Sequence, residues 1–275
     1  MIHPPSKMKG LKPLSARQLL RVEHTSQRTE GARDEGLELW ERFRKQLGPT
    51  LLRDPHLLCG MWHSQNLSTI TDRRVCELLK LRKQSNASHD TLHVLYQRLA
   101  LPEIAQELRL DYEADQDGID AVFVLRSTQD GYVDKIAIDL ATDYHRALED
   151  RQAIERLCSA RVPLRILLLT TRWNRGWGEK SIRAAWLPQF ETALARYCAK
   201  YQRKGVFVLI VGDWLPINLS ARDKRANGTI TLYSRVYDEH GLMTTDTSAY
   251  PLGNGDATIL SERFCLRSGE YVRGE

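Results

Sequence analysis

Gly118-Ile-Asp-Ala-Val-Phe-Val-Leu125 and Lys135-Ile-Ala-Ile-Asp-Leu-Ala141 decide how this chain reads. Both are short apolar runs of strand-forming residues, and each holds one aspartate. Asp120 stands at the start of the first and Asp139 near the end of the second. The segment between them, Ser127-Thr-Gln-Asp-Gly131, ends on Asp-Gly and carries a hairpin signal. Upstream, Pro102-Glu-Ile-Ala-Gln-Glu-Leu108 begins with proline at a helix start. Leu110 and Tyr112 mark a short strand, which turns at Asp115-Gln-Asp-Gly118. Downstream, Asp143 opens a helix carrying Ala147, Ile154 and Leu157. Arg165-Ile-Leu-Leu-Leu-Thr170 is a continuous apolar run, as a central buried strand would be. The expected order over residues 101–171 is therefore α-β-β-β-α-β.

Working outward, a long amphipathic helix is expected over 180–203, and an apolar strand over 206–211 extends the same sheet. Residues 229–237 alternate and are rich in strand formers; 257–266 is a further candidate strand. Toward the N-terminus the period changes. Leu19, Leu20 and Val22, then Leu37, Leu39, Trp40, Phe43 and Leu47, recur at helical spacing, and Gly48-Pro49 should end that helix. Further helices are expected after Thr71-Asp72 and over 88–99. The reading is a basic flexible tail over 1–14, a helical N-terminal region over 15–100, and an α/β domain over 101–275 with a β-rich C-terminal extension. The fold class is α/β, with a mixed sheet.

The chain has 275 residues, 42% hydrophobic and 27% charged, which is ordinary for a globular protein. Its formal charge is +5. Lys7, Lys9, Lys12, Arg17 and Arg21 lie in residues 1–22 with no acid among them, and they account for that excess. Such an arm is either a solvated tail or a contact for nucleic-acid phosphates. No apolar run approaches the ~18 residues that cross a bilayer, and no secretory h-region is seen, so no membrane role is expected. Five widely spaced cysteines read as reduced thiols of a cytoplasmic protein.

Two carboxylates on neighbouring strands can share a divalent cation, and that cation can activate water against a phosphodiester. With the α-β-β-β-α-β order, this arrangement of acids resembles the PD-(D/E)XK nuclease superfamily. That superfamily includes restriction endonucleases, Holliday-junction resolvases and transposon-end nucleases. The resemblance is confined to residues 101–171. It implies that Asp120 is the first magnesium-binding acid and Asp139 the second. In those families the motif lysine positions or activates the attacking water, but position 141 is alanine here. Lys135 falls on Asp139's face by strand alternation, about 13 Å upstream at ~3.3 Å per residue, and is a candidate base. Lys180 or an arginine of the following helix are alternatives. Glu103 and Glu107, four apart on one helix face, are further candidate ligands, since a helix glutamate often joins the metal cluster in the families it resembles.

Beyond the core, Thr170-Thr-Arg-Trp-Asn-Arg-Gly-Trp-Gly178 follows a strand end, where α/β proteins place ligand loops. Arg172 and Arg175 suit phosphates, Trp173 and Trp177 suit base stacking, and Lys180 and Arg183 extend the basic band. Cys59, His63, His89 and His93 have helical i,i+4 spacing, but scattered histidines of this kind are usually structural. Asp213 could stand near the same sheet edge as a third ligand. No P-loop is present, which excludes that form of nucleotide hydrolysis. The expectation is a DNA-processing, Mg-dependent endonuclease. The alternatives are a catalytically inactive nucleic-acid-binding accessory protein of a mobile element, plasmid or defence system, and a protein-interaction module docking a partner through its helical N-terminal region.

Overall fold

Asp117-Gly118 turns the chain back with both residues at positive φ, 52° and 81°. Two such residues make a type I′ turn, whose twist matches that of antiparallel strands and which Asp-Gly accommodates well. The turn joins β1 (Asp111–Gln116) to β2 (Ile119–Ser127), closing on the Gln116–Ile119 pair. β3 (Gly131–Ala141) returns antiparallel to β2. In the computed structural model the described residues are 31–53, 93, 95–127, 131–141, 151–169, 180–214, 229–251, 265–267 and 270–272. The basic tail, most of the expected helices before residue 93, Asp143 and the loop of Arg172 to Trp177 lie outside them.

Two crossovers follow. Helices α1 (Ala32–Leu52) and α2 (Leu101–Glu107) come before the sheet in the chain, and α3 spans Arg151–Ser159. It precedes β4 (Leu164–Leu169), parallel to β3. α4 (Lys180–Tyr201) precedes β5 (Val206–Trp214), parallel to β4. β6 (Thr229–Asp238) and β7 (Gly241–Pro251) complete the sheet antiparallel. The seven strands lie in sequence order. Crossovers of one hand that advance in one direction leave both helices on one face, and α3 and α4 do pack together.

Side-chain alternation then divides two apolar layers. Ile136, Ile138, Leu140, Ile166 and Leu168 face α1 and α2; Ala137, Ala141, Leu167 and Leu169 face α3 and α4. Every residue of β4 is buried, which explains why it is apolar at every position but Arg165. The edge strands differ. β1 reads Asp-Tyr-Glu-Ala-Asp-Gln and β7 is rich in threonine, so neither offers a long apolar edge to another chain. The same polarity hides β7 from a reading of the sequence. In the expected strand over 257–266, only Cys265 and Leu266 are described, in a short hairpin formed by β8 (Cys265–Arg267) and β9 (Glu270–Val272).

α1 buries Leu39, Trp40, Phe43, Leu47 and Leu51 against the sheet, with the Phe43 and Phe123 rings 6.2 Å apart. Its expected end at Gly48-Pro49 is corrected: the helix continues to Leu52. Packing overrides the break, because Leu47, Thr50 and Leu51 are all buried. Gly48 is needed for contact, since a Cβ there would stand 2.1 Å from the Tyr250 ring. A π-helical turn, Tyr96–Ala100, runs directly into α2. It falls just before Pro102, which has no N–H to continue an α-helical ladder. Among the described residues no helix is long and apolar enough to cross a membrane. The architecture is mixed α/β, with an N-terminal helix and a seven-stranded mixed sheet.

Candidate functional site

The β2–β3 register sets the centre of the site. Ala121 pairs with Ile138 and Val122 with Ala137. Continued by one residue, that ladder puts Asp120 opposite Asp139, and cross-strand neighbours are within side-chain reach. The two carboxyl groups are close enough for each to shift the other's proton affinity. A proton on one of them would relieve the repulsion between the two charges.

Each aspartate has further partners. The Leu140 N–H donates to Asp120 Oδ2 at 2.7 Å. His93 Nε2 lies 3.5 Å from Asp120 Oδ1. Gln97, in the π turn, donates from Nε2 to the Asp120 carbonyl at 3.3 Å and to Asp115 Oδ1 at 2.9 Å. The Tyr112 hydroxyl donates to the Gln97 carbonyl at 2.6 Å, tying the π turn to β1. Asp139 instead receives Arg156 of α3, from Nη2 at 2.8 Å and Nε at 3.3 Å. The stem of Arg156 runs over the hairpin turn, since a Cβ on Gly118 would meet its Cδ at 3.3 Å.

Electrostatics follow from this packing. Burial raises the Asp139 pKa well above the usual carboxylate range, and the Asp120 carboxylate raises it further; Arg156 opposes both. Burial also raises Asp120, while the neighbouring Asp139 and the hydrogen bond from the Leu140 N–H pull the other way. Asp139 is the deeper, with its side chain 4% exposed against 20% for Asp120. A proton at this position is a poor substitute for a cation, because it relieves the repulsion of only one charge. Two hard carboxylate oxygen donors suit Mg2+, which commonly takes one or two carboxylates and fills its remaining positions with water and phosphate oxygens. Among the described residues, no group of three or more His, Cys, Asp or Glu is arranged around a metal position.

The other candidates lie elsewhere. Glu103 and Glu107 share a helix face, but both turn to Arg53 at the end of α1: Glu103 in an ion pair, Glu107 at 3.7 Å. The expected position of Lys135 is corrected by a β-bulge. Phe123 pairs with Ile136 and Val124 with Asp134, so Lys135 is the extra residue and alternation fails there. Its ammonium pairs with Glu35 of α1, on the opposite face of the sheet from α3. Lys180 and Arg183 fall in the opening turns of α4, and Asp213 stands opposite Thr231 in the β5–β6 ladder. Arg172, Trp173, Arg175 and Trp177 lie outside the described residues.

Three contributors to this site escape a reading of the sequence. Arg156 is one of a band of arginines, with nothing to separate it from its neighbours except its place on the following helix. His93 reads as one of several scattered histidines. Gln97 gives no signal at all, because its role depends on a π turn that periodicity does not reveal. Because Lys135 is bound to Glu35, Lys135→Met is expected to leave any cleavage activity within about 2-fold. Its effect on stability should be about 1 kcal/mol or less, because methionine fills the buried position of the Lys135 stem and Glu35, with 40% of its side chain exposed, stays solvated. A plasmid-nicking assay beside a melting curve checks both. A large loss of cleavage with an unchanged melt would return Lys135 to the site.

No protein-family model, curated protein or solved structure matches this chain.

Proposed function

We propose that this chain is a DNA-processing protein with a restriction-endonuclease-like core, in which Asp120 and Asp139 take a divalent cation, Mg2+, for phosphodiester cleavage. The observation that carries this reading is the pair of carboxylates set opposite each other on adjacent strands, with the Asp139 side chain 4% exposed. Buried acids that repel one another reduce stability, and such arrangements concentrate at functional sites. The element order around the pair, α2-β1-β2-β3-α3-β4, is the one associated with that family.

The chain's own groups have separate tasks. Asp120, fixed by the Leu140 N–H, and Asp139 would hold the cation. When bound, it would supply a Lewis acid for the phosphate and an acidified water. Arg156 reaches the pair from α3 and would offset charge on the phosphate. It cannot serve as the general base, because a guanidinium does not lose its proton in this range. The loop carrying Arg172, Trp173, Arg175 and Trp177, with Lys180 and Arg183, would grip the nucleic acid.

A second reading is favoured by Arg156 itself. Its guanidinium occupies the Asp139 carboxylate from which a metal would coordinate, and position 141 lacks the motif lysine. In this reading the chain is a non-hydrolytic nucleic-acid-binding accessory protein, and Arg156 replaces the metal's charge.

One experiment separates the readings. Supercoiled plasmid and single-stranded DNA are incubated with the chain and Mg2+ or Mn2+, beside Asp139→Asn, and the melting temperature is recorded with and without each metal. The nuclease reading expects cleavage by the parent alone. It also expects a melting temperature that rises with metal in the parent and not in the variant, because a ligand stabilises only the fold that binds it. A salt-sensitive gel shift by both proteins, with neither cleavage nor metal response, would establish the accessory reading instead. Neither cleavage nor binding would refute both.

A further inference from the structure

On the same face of the sheet, apart from the carboxylate pair, two thiols meet between helices. Cys158 of α3 and Cys198 of α4 have their sulfurs 3.9 Å apart. Cys158 is fully buried, whereas Cys198 is partly exposed and lines a cavity of about 710 Å³ between α4 and the β6–β7 hairpin. Leu194, Arg203, Lys204, Arg235 and Leu242 also line that cavity.

Two arginines surround the thiols. Arg165 is 4% exposed at the start of β4, an unusual residue in an otherwise apolar central strand. It donates to the carbonyls of Ala160 and Lys204, and no acidic partner is found for it among the described residues. Arg203 donates to the carbonyls of Cys158 and Ser159 at the end of α3. A buried guanidinium without a carboxylate favours any nearby anion, and a thiolate is the one available. Cys198 is accordingly pulled down to about 7, first by the Cys158 hydrogen bond and then by Arg165 and Arg203 against burial. Cys158 is pushed up, chiefly by the hydrogen bond between the two sulfurs and then by burial.

We propose that Cys158 and Cys198 form a reversible redox pair: Cys198 attacks a low-molecular-weight disulfide that enters through the cavity, and Cys158 resolves the adduct. The Cys198 thiolate displaces one half of the small disulfide as a thiolate and forms a mixed disulfide with the other half. Capping Cys198 ends the hydrogen bond that keeps Cys158 protonated. Cys158 then loses its proton to solvent and attacks the Cys198 sulfur, and the second half leaves as a thiolate. Two protein thiols are oxidised and one small disulfide is reduced to two thiols. The sulfurs must close from 3.9 Å to about 2.05 Å. Arg203, Lys204 and Arg235 stand against Glu191, Asp238 and Glu239 around the cavity, so its lining is charge-balanced and suits a zwitterionic small disulfide, of which glutathione disulfide is the probe. The bond would join α3 to α4, and α3 also carries Arg156. This inference does not depend on the nuclease reading.

The test uses the reduced full chain, treated with glutathione disulfide, alkylated and digested with trypsin for mass spectrometry. Cleavage releases Leu157–Arg161 and Tyr197–Lys200, each with one cysteine. The expected result is loss of both alkylated peptides and appearance of the two joined by a disulfide. Cys158→Ala should instead accumulate a glutathione adduct on Tyr197–Lys200, and Cys198→Ala should leave Leu157–Arg161 alkylated. Both peptides remaining alkylated in the parent would overturn the proposal. So would a stable glutathione adduct on the parent's Cys198 without linkage, which removes Cys158's resolving role. The parent measurement needs no variant, so poor folding of either substitution leaves the proposal open to refutation.

Discussion

Gly205→Ala is expected to destabilise the fold by about 3–5 kcal/mol, summing a strained backbone and a forced displacement. Gly205 has φ of +98°, where a side chain is poorly tolerated. A Cβ added there would also stand 2.5 Å from the Pro163 carbonyl oxygen and 3.2 Å from its carbon. Both obstacles are main chain, so no rotamer change removes them. That carbonyl accepts the Val206 N–H at 2.8 Å, the bond that starts β5 beside β4. Gly36 of α1 approaches the same oxygen, with a Cβ position also 2.5 Å away. The carbonyl is therefore held between a helix and a strand entry, and it cannot retreat from one without meeting the other. The melting temperature of Gly205→Ala should fall by roughly 10 °C, at ~2–4 °C per kcal/mol for a chain of this size. A change within about 2 °C would mean that the β4–β5 entry yields more easily than this packing implies.

Nothing in the sequence marks these glycines, and the reason is general. Periodicity reports which face a residue takes within its own element; a close approach between distant segments leaves only a glycine with no local purpose. The legible parts are local. Asp117-Gly118 signals the hairpin turn, the run Arg165-Ile-Leu-Leu-Leu-Thr170 signals the central strand, and Asp120 and Asp139 fall on neighbouring strands. Where a local rule meets an irregularity, the reading fails. Strict alternation puts Lys135 on Asp139's face, but the bulge at that residue turns it to Glu35. Glu103 and Glu107 do share one helix face, yet which neighbour that face meets is a tertiary fact, and the neighbour is Arg53. Helix α1 passes through Gly48-Pro49 because buried residues on both sides anchor its last turn. β7 escapes notice because an edge strand has no need of the apolar alternation that identifies an inner one.

Asp139→Asn is expected to raise the stability of the fold at alkaline pH by about 1–2 kcal/mol, the scale of other relieved functional sites. The sign follows from linkage. Burial and the Asp120 carboxylate hold the folded-state pKa of Asp139 above the ordinary range. In the unfolded chain the same group releases its proton near pH 4. The native state therefore keeps a proton that the unfolded state has lost, and the resulting stabilisation is complete below about pH 4. It declines as pH rises and is gone once pH passes the raised folded value. The asparagine of the variant would carry a permanent amide in place of that proton, donating to Asp120 at every pH and still accepting from Arg156. The difference in melting temperature between variant and parent should thus be small near pH 4 and grow with pH, to roughly 2–8 °C at pH 8. Parallel curves, or a variant less stable than the parent at pH 8, would show that the pair is not held against its own repulsion. Mg2+ would offset the same repulsion in the parent, so it should close the gap between the two proteins at pH 8. A purely structural pair would show the pH-dependent gap without that closure. A cation site would show both, and only the second pattern explains why the chain keeps an aspartate where asparagine makes a more stable fold.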